Sequence, residues 1–128
     1  MLDQQRRKLL EICSKAFEDL AKPGISAESF NDLLDTFAEM QREYFDAEEK
    51  LLAHHGYPDL QSHMAEHETF KLRLDDLLNY AANGWIYRRA LLMLMADFAG
   101  SHLLQTDIAC EDFLSERRWQ SLSDPGCQ

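Results

Sequence analysis

An all-α fold, an antiparallel up-down four-helix bundle, is predicted by three features of this 128-residue sequence. Apolar residues recur with helical rather than alternating period. Glycine and proline are scarce, five and three residues, and five of these eight mark three breaks. No segment shows the strict alternation of a half-buried strand. Four amphipathic segments with short connections pack most simply as antiparallel neighbours.

Each helix can be justified in turn. Leu2, Leu9, Ile12, Cys13, Ala16, Phe17 and Leu20 form the first stripe, which ends at Lys22-Pro23-Gly24. Ser26 is a candidate N-cap for the second helix, whose stripe runs through Phe30, Leu33, Leu34, Phe37, Met40, Tyr44, Glu48, Leu51 and Leu52. The break "HHGYPD" follows, and Pro58 is placed to open a third helix at its first turn. That helix carries Leu60, His63, His67, Phe70, Leu74, Leu77 and Leu78, and Asn83-Gly84 stops it. A fourth is expected from about Trp85 to Arg118, with Leu91, Met95, Phe98, His102, Leu103, Asp107, Cys110 and Leu114 facing inward. One domain over residues 1–120 is expected, with 121–128, "SLSDPGCQ", as a flexible tail.

Charge and composition narrow the function classes. A formal net charge of -10 argues against nucleic acid, whose phosphates call for clustered Lys and Arg. No apolar run approaches the ~18 residues of a bilayer span, so no membrane partner is expected. Cys13, Cys110 and Cys127 have no CxxC spacing, which suggests neither a zinc site nor a disulfide framework. The reducing cytoplasm is the expected location.

The informative residues are polar ones inside the apolar stripes. Glu48 lies four after Tyr44 and three before Leu51, so it points inward with them. His63 and His67 share a face with Phe70 and Leu74. His102 and Asp107 are five apart, about 140° around an ideal helix, and can flank one inward seam. Each has an ordinary reading when taken alone: a hydrogen-bonded histidine, or a half-solvated acid. Together they put carboxylates and imidazoles in one core. Buried carboxylates are costly without a cation between them. Three imidazoles with carboxylates suit iron, manganese or zinc better than magnesium or calcium. His54 and His55, at the loop, read as surface residues.

The segment "YFDAEEKLLAHHGYPDLQSHMAEHETF" resembles the bacterial hemerythrin signature HFxxEE…YP…HxxxHxxF, and "SHLLQTD" is similar to its closing HxxxxD. "LDQQRRKL" resembles the family's opening IDxQHxxL. The resemblance implies a four-helix bundle holding two irons bridged by an oxygen and two carboxylates, with O2 bound reversibly at one iron. It further implies that His63, His67 and His102 hold the first iron, and that Glu48 and Asp107 are the bridging carboxylates. Two departures stand out. Arg6 occupies the position of the first-helix histidine, and Tyr44 that of the second-helix histidine. In the family those histidines belong to the iron that takes O2.

Two readings of that departure are open. In one, Arg6 supplies the charge of a missing second metal, because its guanidinium stays protonated and cannot be an ordinary ligand. Tyr44 then donates its hydroxyl to a carboxylate, and one iron per chain is expected, with manganese or zinc as lesser choices. In the other, Tyr44 is a phenolate ligand in a site that keeps two irons. The implied function is O2- or redox-related binding or sensing, with O2, NO or peroxide as small ligands, rather than ordinary reversible O2 transport. The alternatives are a metal-free bundle acting as an interaction module and a ferroxidase- or peroxidase-type enzyme.

Overall fold

The computed structural model describes residues 2–106, 109–110 and 112–116. Helix α1 spans Leu2–Ala21, α2 Ala27–His54, α3 Leu60–Ala82 and α4 Arg88–Asp97, and α4 continues into a π-helical segment, Phe98–Thr106. Each helix packs on its chain neighbours, and α4 closes against α1. The described residues contain no strand. None of their helices is long and apolar enough to cross a membrane.

The helix ends follow from local chemistry. Ser26 caps α2 as expected, its hydroxyl oxygen accepting from the Ser29 N–H at 3.0 Å. Gly84 follows α3 with φ +85°, a left-handed conformation that costs glycine nothing and other residues much. Pro58 does not open α3. It lies in the turn before Asp59, and the helix begins at Leu60.

Among the described residues the sequence stripes are buried or partly buried. Leu9, Cys13, Ala16 and Leu20 of α1 meet Phe30, Leu34 and Phe37 of α2, and Leu91, Leu94 and Met95 of α4. Phe98 sits at the centre, edge-on to both Phe37 and Phe70 with ring centroids 5.5 Å apart in each case. Truncating any of these large side chains is expected to cost about 2–5 kcal/mol.

The fourth helix departs from the expected run from Trp85 to Arg118. It starts at Arg88, because residues 83–87 form the turn, and it leaves α geometry at Phe98. In a π-helix the backbone bonds reach one residue further, so the inward face shifts along the chain. Phe98, His102 and Leu103 are all fully buried there. The 140° expected between His102 and Asp107 assumes an α-helix, whereas His102 lies in the π-helical segment. Asp107 itself lies outside the described residues, as does the expected tail at 121–128.

Candidate metal centre

Three elements bring the site together. Glu48 comes from α2, His63 and His67 from successive turns of α3, and His102 from the π-helical segment. All four are buried, and one ligand atom from each lies within 4.8 Å of every other. The three Nε2 atoms converge on one carboxylate oxygen. His63 Nε2 is in contact with Glu48 Oε1. His67 Nε2 lies 3.1 Å from the same oxygen and His102 Nε2 3.6 Å. His67 Nε2 and His102 Nε2 are 3.0 Å apart.

The far sides of the rings explain what the near sides need. His67 Nδ1 meets Glu49 Oε2 at 2.6 Å, and His102 Nδ1 meets Glu66 Oε1 at 3.1 Å. An ionised carboxylate only accepts, so both Nδ1 atoms carry the hydrogen. In the neutral rings, both Nε2 atoms then present lone pairs, 3.0 Å apart and beside a carboxylate oxygen. Such an arrangement repels itself unless a cation, metal or proton, sits among the four atoms. The donor set fits a transition metal of the iron, manganese or zinc type. His67 and His102 would then be oriented by Glu49 and Glu66, as ligand imidazoles commonly are.

Around this core, Phe45 stacks on the His67 ring at 3.8 Å with 10° between planes, fixing its tilt. Cys110 Sγ lies 3.6 Å from His63 Nδ1, on the side of the ring away from Glu48. Burial pushes its thiol pKa up to about 11, so it stays protonated at neutral pH. Tyr57 hydrogen-bonds the same thiol, and burial foremost pushes its hydroxyl up to about 12.

Arg6 and Tyr44 occupy the other side of Glu48. Tyr44 is fully buried, and its hydroxyl donates to Glu48 Oε2 at 3.0 Å. Arg6 is half-buried, and its Nε donates to the Tyr44 hydroxyl at 3.2 Å. The arginine therefore turns toward the site. His54 and His55 instead pack edge-on to each other at 5.1 Å, near the end of α2.

Glu49, Glu66 and the stacking role of Phe45 were not read from the sequence. A signal existed for the acids: each lies next in sequence to a buried site residue, Glu49 after Glu48 and Glu66 before His67. One step is about 100° around a helix, so such a neighbour sits half-buried at the rim, within reach of a ring.

Fold and site define a class: a four-helix-bundle protein with a histidine–carboxylate metal site buried between its helices. Within that class the chain is similar to a hemerythrin. It is 28% identical over 114 residues to a bacteriohemerythrin of Clostridium acetobutylicum, an alignment covering 83% of this chain and 85% of that protein. No family model matches the chain. No solved structure matches it at a significant level.

Proposed function

We propose that this protein holds a single iron per chain on His63, His67, His102 and Glu48, and binds or senses O2, NO or redox state there. It does not act as an ordinary reversible O2 carrier. The observation that carries this reading is the division of Glu48. Its Oε1 faces three imidazoles, while its Oε2 accepts from Tyr44, which in turn accepts from Arg6. A carboxylate bridging two metals gives one oxygen to each. Here a hydroxyl donor backed by a guanidinium stands where the second metal would bind. Asp107 remains a candidate further ligand on sequence grounds.

A bound iron supplies an electrophilic, one-electron redox centre for a small ligand. The chain's own residues do the rest. Glu49 and Glu66 keep the Nδ1 hydrogens in place so that each Nε2 presents its lone pair toward a metal. Phe45 and Phe98 wall the rings from solvent. Tyr44 holds a proton at Glu48 Oε2.

The deciding experiment is iron per chain by elemental analysis, with the visible spectrum of protein loaded in excess iron. About one iron without oxo-bridge bands is the expected result. Two irons per chain, or a tyrosinate-to-iron band, would overturn it.

A further inference from the structure

Each imidazole of the metal centre engages a partner at its far nitrogen. His67 and His102 turn Nδ1 to the carboxylates of Glu49 and Glu66. His63 turns its Nδ1 to a thiol, with Cys110 Sγ 3.6 Å away. Sulfur is a weak acceptor, and its larger radius lengthens the contact. The two carboxylates stand at the rim, their side chains 18% and 32% exposed, where water still reaches them. Cys110 is 2% exposed.

Cys110 is held on several sides. It shares a small core with Leu52 and Leu114, against which Tyr57 and Phe113 pack. Tyr57 hydrogen-bonds its sulfur. The Tyr57 ring stands edge-on to Phe113 at 5.0 Å and to His63 at 6.3 Å. Its backbone N–H donates to the Leu52 carbonyl at 3.0 Å, which pins the turn between α2 and α3 that carries the ring.

A metal at His63 Nε2 leaves the ring hydrogen on Nδ1. In a site this buried, an N–H without an acceptor is costly. A carboxylate in the place of Cys110 would add another buried charge beside Glu48, which is costly too. A thiol takes the hydrogen without adding charge. We propose that Cys110 is a positioning residue of the metal centre: its sulfur accepts from His63 Nδ1, Tyr57 fixes that sulfur, and together they hold His63 Nε2 toward Glu48. This role rests on His63 being a ligand.

The test loads the full chain with Co(II), a probe whose bound imidazoles give strongly shifted N–H proton signals in water that vanish in D2O. One such signal is expected for each of His63, His67 and His102. Glu49→Gln and Glu66→Gln should displace those of His67 and His102, which leaves the His63 signal assigned. Cys110→Ala should speed the exchange of that signal alone and weaken Co(II) binding about ten- to hundredfold, read by competition with a chelator. Cys110→Ser keeps an acceptor on the same Cβ and should lose less. Tyr57→Phe changes a half-buried turn position, should fold normally, and should speed the same exchange to a smaller degree. It decides the matter should Cys110→Ala not fold. A His63 signal that neither variant moves would overturn the role of the thiol and leave the ligand set standing. Equal losses of affinity from Ala and Ser would assign the effect to packing and overturn it as well. No His63 signal at all would overturn His63 as a ligand, and the role of Cys110 with it.

Discussion

The Tyr44 hydroxyl lies 3.0 Å from Glu48 Oε2 and donates to it, while the other oxygen of the same carboxylate faces three imidazole nitrogens. Four residues along α2 is one helical turn, so the two side chains lie on the same face. The pairing is thus local in sequence, but its effect is on the whole site. It makes one carboxylate chemically two-sided, with a hydrogen-bonded side and a metal-facing side. Arg6, from α1, ties that arrangement to a second helix.

Tyr44→Phe removes the donor and changes almost nothing else in volume. Glu48 is 1% exposed, so water does not readily replace the lost bond. The variant should unfold with about 1–3 kcal/mol less free energy in urea, measured on the metal-free protein. Iron content should stay near one per chain. Unchanged stability would mean that Glu48 does not depend on this hydroxyl.

Arg6→His with Tyr44→His should raise metal content from one to two per chain. The double change replaces a fixed cation and a hydroxyl donor by two imidazoles on the same side of Glu48. Elemental analysis with the visible spectrum reads the outcome directly. A double variant that still takes one metal would mean that this side of the bundle is not a vestigial half-site.

The bundle was legible in the sequence because burial follows period. Leu9, Cys13, Ala16 and Leu20 are buried as their spacing requires, and so are Phe30, Leu34 and Phe37. The site was partly legible for the same reason. Glu48, His63, His67 and His102 are polar residues in register with apolar ones, and the structure places all four at one point. What escaped were the features that period does not encode. The π-helical segment at Phe98–Thr106 is not announced by any local residue preference. Glu49 and Glu66 are half-buried rim acids, and in sequence they look like any solvated pair. Their partners are 18 and 36 residues away.

Those rim acids have a measurable role in metal affinity. Glu49→Ala and Glu66→Ala should each weaken metal binding about ten- to hundredfold, read by competition with a chelator of known affinity. Replacement by Gln, whose carbonyl oxygen still accepts from Nδ1, should weaken it less. His63→Ala removes a ligand atom outright and should lower metal content itself. Full occupancy in that variant would remove His63 from the site.

Cys13 gives a prediction about pH that is independent of the metal. It is 1% exposed in the core between α1 and its neighbours, and burial raises its thiol pKa from 9.0 to about 12. In the unfolded chain the thiol loses its proton near pH 9; in the folded chain it keeps it until near pH 12. Between those values the unfolded state binds fewer protons, so stability falls as pH rises. Below pH 9 both states hold the proton and the contribution is fully present. Within the window the loss is about 1.4 kcal/mol per pH unit. Other groups titrate in the same range, so the discriminating quantity is a difference in slope. Urea unfolding of wild type and Cys13→Ala at pH 8 to 10.5 should give curves separated by a constant below about pH 9. The constant reflects the lost side-chain volume. Above that pH the wild type should lose stability faster than the variant. Parallel curves throughout would show that the Cys13 thiol ionises without unfolding the helix that buries it.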